Sequence, residues 1–431
     1  MQIKKGGNVS RMLEGIPIPD MFHAEQAFDK SHIESAEIPS IVRKELSRPE
    51  IADTIQPGMS IAITAGSRGV ANVATITRAI VDFCKERGAD PFIVPAMGSH
   101  GGATAEGQAQ LLEGYGITSE SMGCPVRSSM ETVLLGYSEF GKPVYQDKNA
   151  HEADGIIVSC RIKPHNAFRG TYESGICKMM VVGLGKQKGA ESVHSDGLGN
   201  MARNLPANAR VVLENSNILF AIPTIENAYD ETALIEAVPK DRIMKREPEL
   251  LQFAFKNMPS ILVGEADVLI VDSMGKNYSG TGVDPNISGT WSTEFGKGGL
   301  KVKRTCFLDL TDCSHGNANG MGLADFITKR MFDKLDPEMI YPNCFTSTVI
   351  RSGMMPPVVA TDKEAIQACI LTANQIDKKR PRIVRIKNTL HVGRIMLSEV
   401  YYEDVRAGKY PGLTALDEPA PLVFDEDENL L

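Results

Sequence analysis

The sequence predicts an α/β protein of two domains with mainly parallel sheets. Two observations carry this. Short apolar runs alternate with segments of helical period from about residue 57 and again from about residue 261, the pattern of strands joined by crossover helices. The chain of 431 residues also exceeds what one hydrophobic core usually serves. In an open parallel sheet the ligand crevice lies outside the carboxyl ends of the strands. The loops leaving those ends are therefore expected to carry the chemistry, with the active site in the cleft between the domains.

Residues 59–64 read as a strand, the period of Val70, Val73, Ile76, Ile80 and Phe83 as a helix, and residues 91–97 as the next strand. A second helix is expected from near Thr104 through Leu111 and Leu112, with short strands at 133–135 and 156–160. In the second half, 268–271 and 306–310 read as strands, helices are expected from about Gly322 and over 363–375, and strands near Ile383 and Ile395. The boundary falls near residue 262. Residues 1–261 then form an N-terminal catalytic and cofactor-binding domain and 262–399 a C-terminal domain, with the segment from about 400 to 431 packing back on the first.

Charge and composition remove several classes of function. The 46 basic and 54 acidic side chains give a net charge of -8, so no basic footprint exists for nucleic acid. A few local cations would still suffice to hold a small anion. The start of the chain lacks the apolar core of a signal peptide, and no stretch approaches the roughly 18 uninterrupted apolar residues a membrane span needs, so a cytoplasmic location is expected. The eight cysteines are scattered singly with no C-x-x-C pair, which predicts reduced, mostly buried thiols.

Three of the eight histidines share one context: an apolar run, then His in a loop with Gly or Pro close by. They are His100 in PAMGSHGGATAEG, His165 in CRIKPHNAFRG and His194 in GLGKQKGAESVHSDG. A lone histidine is more often a turn cap than a catalyst. A pair at two strand ends of one sheet, however, suits a base and an acid facing each other across a substrate. Lys178, in GICKMMVVGLG, sits among apolar residues, where loss of hydration favours the nucleophilic free amine; the alternative is a packed stem whose ammonium reaches solvent. After it, Gly183, Gly185, Lys186 and Lys188 compose a glycine-rich turn of the kind that cradles phosphate on backbone amides. Arg68, just past a strand end, offers a planar fork for a carboxylate, or else is a surface arginine near a helix start. In the second half, Lys276, Asn277, Tyr278 and Asp284 lie in a glycine-rich loop after a strand, and His315 lies in a similar loop or caps a helix.

Taken in order, Arg68, the G-S-H-G-G-x-T-x-E segment at 98–106, His165 after Pro164, Lys178, and His194 sixteen positions beyond it resemble the nickel-pincer lactate racemase family. The resemblance extends to the GKNYSGTGVDPN and HGNANGMGLADF segments, which are like those of its longer members. It implies a nickel-pincer nucleotide, a pyridinium mononucleotide with two sulfur-bearing arms, attached to Lys178 with His194 as nickel ligand. It further implies that His100 and His165 exchange the hydroxyl proton of a 2-hydroxy acid while the hydrogen on C2 leaves and returns as hydride through a 2-keto acid. Arg68, Lys276 and Asn277 would bind the substrate. The long polar loops of the second half favour a sugar acid such as gluconate, or a malate-like acid, over lactate. The expected partners are the small-molecule acid, cofactor-synthesis proteins and further copies in a homo-oligomer.

Two other readings stay open at this point. One is a nicotinamide-dependent 2-hydroxy-acid dehydrogenase using the turn at 183–189. Against it, no strand ending in Asp or Glu follows at the right distance, since the region 204–210 is polar and broken by Pro206. The other is a non-catalytic organic-acid-binding protein.

Overall fold

The computed structural model describes residues 3–431, in two compact units. One is Asp29–Met258; the other combines the chain up to Phe28 with Pro259–Leu431.

In Asp29–Met258 the sheet runs in the order Asp90–Pro95, Ser60–Ala65, Gly155–Arg161, Ile218–Glu226 and Thr232–Ile235. The first four strands are parallel and the last is antiparallel to its neighbour. Strands of this kind are covered on both faces, and Ile61, Ala62, Ile63, Ile93, Ile157 and Val158 are all fully buried. The expected first helix is Val73–Glu86; it buries Ile76, Ile80, Val81 and Phe83 in the same core. The second, Ala105–Gly114, begins where the Thr104 hydroxyl accepts the Gly107 amide. The strand expected at 133–135 is Thr132–Tyr137, which pairs antiparallel with Pro143–Asp147 in a separate two-stranded sheet. Residues 204–210, read as broken by Pro206, instead continue through the helix Met201–Asn215, which buries Leu205, Ala209 and Val212. Burial of that apolar face outweighs the single hydrogen bond a proline removes.

The order of these strands locates the crevice. From Ser60–Ala65 the chain crosses to Asp90–Pro95 on one side, whereas from Gly155–Arg161 it moves to Ile218–Glu226 on the other. Connections that part in opposite directions leave an opening above the carboxyl ends of the two central strands.

The other unit holds an eight-stranded sheet. Glu265–Val271 lies at its centre, parallel to Lys301–Phe307 on one side and Ile383–Ile386 on the other. The expected helix at 363–375 is Asp362–Thr372. The helix expected from Gly322 is absent there: Met321–Leu323 is a short 3-10 turn, Phe326–Thr328 joins the sheet as a strand, and only Lys329–Phe332 is helical. Pairing with Lys301–Phe307 captures this apolar run before a helix can extend. The early strand Met21–Gln26 pairs antiparallel with Arg394–Ser398 and with Leu413–Ala415. The chain start thus belongs to the later unit, together with the C-terminal segment that packs on it. Phe22, fully buried with its ring 5.1 Å from Tyr402, is the anchor of this return. Phe22→Ala is expected to cost about 3–5 kcal/mol. Hydrogen exchange should report the loss in Arg394–Ser398 and Leu413–Ala415 and leave Ser60–Ala65 as protected as in the parent.

Candidate active site

Three neighbouring strands of the Asp29–Met258 unit launch three loops at their carboxyl ends. Arg68 follows Ser60–Ala65, His100 follows Asp90–Pro95, and His165 follows Gly155–Arg161. Strands spaced about 4.8 Å apart put the outer two launch points about 10 Å from each other, with the Arg68 loop between them. The Ser67 hydroxyl meets His100 Nδ1, and the Tyr115 hydroxyl donates to the Ser67 carbonyl at 2.9 Å, so the Arg68 and His100 loops are tied together. The Arg68 side chain is reached by solvent yet hemmed in by protein; lost hydration and the nearby Arg161 guanidinium both lower its pKa, while Tyr115 opposes them.

His165 is buried, and its loop is wrapped around the carboxylate of Glu173. Glu173 accepts the His165 amide at 2.6 Å and the Gly170 amide at 3.1 Å, and the Arg169 guanidinium lies 3.2 Å away. The ring packs against Phe168, with centroids 4.4 Å apart. Its Nδ1 accepts the Ala167 amide at 3.1 Å, so the neutral ring carries its proton on Nε2. Nε2 in turn lies 2.6 Å from Lys178 Nζ. An N–H aimed at this nitrogen needs a lone pair there, which only the uncharged amine has. The electrostatics agree: burial, reinforced by Arg68 and opposed by Glu173, brings the Lys178 pKa down to about 8. Burial, then Lys178, His194 and Arg169, hold His165 well below its ordinary value.

Lys178 ends the turn Ile176–Lys178, and Met179–Gly183 continues as a π-helical stretch before Lys186–His194. Such wide turns recur at functional sites, where they re-aim a side chain. His194 closes that last helix. Its Nδ1 lies 2.6 Å from the Ala190 carbonyl, which can only accept, so Nδ1 carries the proton and Nε2 keeps its lone pair. Burial also lowers the His194 pKa, the Ala190 carbonyl opposes that shift, and any protonation of Lys178 adds to it. The result is a neutral imidazole with one nitrogen ready for a metal and the other oriented by backbone.

The glycine-rich segment is tightly packed. Residues 183–189 run from the end of the π-helical stretch through a turn at 184–185 into the helix Lys186–His194, and the glycines are there for close packing: a Cβ on Gly185 would fall 2.2 Å from the Val181 carbonyl, and one on Gly183 2.8 Å from the Ala96 carbonyl. Lys186 is fully buried, with Nζ 3.2 Å from Gln108 Oε1 and 3.1 Å from Asp147 Oδ2 and against the Pro95 carbonyl, so it faces inward. Lys188 is exposed, 5.9 Å from the Tyr145 ring centroid. Lys276 and Asn277 belong to the other unit. There Lys276 Nζ donates to the Gly280 carbonyl at 2.7 Å and to Asn343 at 2.6 Å, and Asn277 accepts from the Thr311 hydroxyl at 2.9 Å. His315 ends a 3-10 turn at φ 47 and is exposed. Ser67, Gln108, Glu173 and Glu247 were not legible as site residues; only the Glu173 carboxylate, inside the His165 to Lys178 segment, carried any local hint.

The donor set fits a cofactor attached through an amine and holding a metal largely by its own donors. The described residues contain no group of three or more His, Cys, Asp or Glu able to hold an ion. They do supply one poised amine and one oriented imidazole. Amine-selective labelling of Lys178 should therefore rise with pH to a midpoint near 8, because the free amine dominates above its pKa, whereas an ordinary lysine titrates near 10.5. Peptide mapping across a pH series reads both midpoints in one sample, and a Lys178 midpoint above 10 would contradict the geometry.

Residues 18–204, which include Arg68, His100, His165, Lys178 and His194, match the family model of the lactate racemase N-terminal domain. Among solved structures, the lactate racemase apoprotein from Thermoanaerobacterium thermosaccharolyticum is similar in fold, with a TM-score of 0.51 and 13% identity over 85% of this chain and 98% of that one. No curated protein sequence matches the chain. Among the described residues no helix is long and apolar enough to cross a membrane. The part of the chain that carries the candidate site is thus similar to the lactate racemase N-terminal domain.

Proposed function

We propose that this protein is a nickel-dependent, cytoplasmic isomerase that inverts C2 of a 2-hydroxy acid, with a sugar acid such as gluconate or a malate-like acid preferred to lactate. The observation that carries the reading is the buried Lys178 amine, its pKa lowered to about 8, held 2.6 Å from His165 above the carboxyl ends of the parallel strands. A nickel-pincer nucleotide, attached at Lys178 and ligated by His194, supplies the hydride acceptor and donor for C2.

The chain's own residues supply the rest. Arg68 pairs its fork with the substrate carboxylate, a contact that strengthens where protein limits its hydration. Burial keeps His165 neutral, and to take the hydroxyl proton on one face of the substrate its ring would have to release the Ala167 amide and carry its own proton on Nδ1, which attachment of the cofactor permits by removing the Lys178 lone pair from Nε2. His100, held at Nδ1 by Ser67, returns it on the other. Exchange of these roles makes the inversion reversible. A dehydrogenase is disfavoured because the Lys186 ammonium faces inward, toward Asp147 and the Pro95 carbonyl, and is not turned to a phosphate.

The test is the protein produced together with the cofactor-synthesis enzymes. Stoichiometric nickel, a covalent mass increment on Lys178 and loss of stereochemical purity in a panel of 2-hydroxy acids without added nicotinamide are expected. An active chain of unmodified mass would refute the proposal. His100→Ala should keep nickel and substrate while slowing interconversion by about 10²–10⁴-fold; a non-catalytic binder would instead have no such activity to lose. Arg68→Lys keeps the charge but loses the fork, so KM should rise more than kcat falls.

A further inference from the structure

Lys186 is fully buried and takes a left-handed backbone conformation, φ 55, which a residue with a side chain rarely adopts. Two unfavourable features at one residue call for a compensating role. Its Nζ is surrounded by three oxygens: the Pro95 carbonyl, Gln108 Oε1 at 3.2 Å and Asp147 Oδ2 at 3.1 Å. Two of these oxygens accept N–H groups of the ammonium, and the Asp147 carboxylate supplies the countercharge.

Gln108, also fully buried, passes the constraint on. Because its amide oxygen faces the ammonium, its NH2 faces the His100 loop and donates to the Gly98 carbonyl at 2.9 Å and the His100 carbonyl at 3.2 Å. The same loop meets the π-helical stretch where the Gly98 amide donates to the Gly183 carbonyl at 3.2 Å. Asp147 is fixed from its own side: Oδ1 accepts the Ala150 amide at 2.9 Å, and its amide donates to the Leu184 carbonyl at 2.6 Å. The ammonium therefore joins the strand that launches His100, the helix that follows His100, and the helix that ends in His194.

We infer that Lys186 and Gln108 are positioning residues: the buried ammonium orients the Gln108 amide, which fixes the His100 loop against the segment carrying Lys178 and His194. The inference rests on the proposed acid–base role of His100. Its geometry is independent of the bound cofactor.

Gln108→Met keeps the Lys186–Asp147 pair and severs the link to the loop. The double variant Lys186→Met/Asp147→Asn removes both charges together, so neither is left buried alone. In the full-length protein, amide exchange over residues 98–104 should speed up about tenfold or more in both variants while Gly155–Arg161 stays protected. The ring-nitrogen chemical shifts of His100 should move as its contact with Ser67 loosens, a signature that overall stability alone does not change. In protein carrying the cofactor, kcat for interconversion should fall in step. Parent-like exchange in the loop and parent-like His100 signals in folded variants would overturn the inference. If those signals move but the parent interconverts no 2-hydroxy acid, the positioning stands and the isomerase reading fails.

Discussion

Because the Ala167 amide donates to His165 Nδ1, the one proton of the neutral imidazole sits on Nε2 and points at Lys178. From that backbone contact much of the site follows. A charged ammonium at 2.6 Å would set donor against donor in a place with little water to screen it. Protonating either partner therefore costs more here than in solution, and burial pushes both pKa values in the direction that keeps them neutral. An uncharged amine is a nucleophile; an uncharged imidazole is a base or a ligand. The chemistry available at the sheet edge is set by the proton count, which the loop conformation fixes.

Two buried carboxylates hold that conformation. Glu173 gathers the amides of His165 and Gly170 and the Arg169 guanidinium, closing the loop into one position. Glu247, from the helix Ile243–Asn257, accepts the Cys177 amide at 2.9 Å immediately before Lys178, and burial raises its pKa to about 7. Gly175 makes room for it, since a Cβ there would lie 2.2 Å from Glu247 Oε1. Each carboxylate satisfies amides that would otherwise be buried without partners, and an orphaned amide costs more than a typical hydrogen bond contributes.

Much of this was legible along the chain. The alternation of apolar runs and helical periods found the strands at 60–65, 90–95 and 155–161, and with them the loops of Arg68, His100 and His165, because burial on both faces writes itself as a continuous apolar run. The strand order was not legible, and it is the order that opens a crevice above the two central strands. The pairing of Met21–Gln26 with Arg394–Ser398 was equally hidden, being a contact between segments far apart in sequence with no local signature. Gln108 looked like one more polar residue on a helix. Only the fold discloses that its side chain points inward, at two carbonyls of the His100 loop.

Lys178 and Lys186 show where local reading stops. They lie eight positions apart in one apolar, glycine-rich stretch, and sequence context gave each a claim on a cofactor. Burial lowers the pKa of both. For Lys186, Asp147 opposes that lowering, and the Pro95 carbonyl and Gln108 Oε1 accept hydrogen bonds from Nζ, so the charge has compensation within the protein. For Lys178, burial and the Arg68 charge outweigh the opposing pull of Glu173, so the ammonium is less favoured than on an ordinary lysine and the pKa falls to about 8. Position in an apolar run thus sets the cost of a lysine's charge, and the atoms that surround Nζ decide whether that cost is offset. The π-helical stretch Met179–Gly183 stands between the two residues and sends their side chains into those different surroundings.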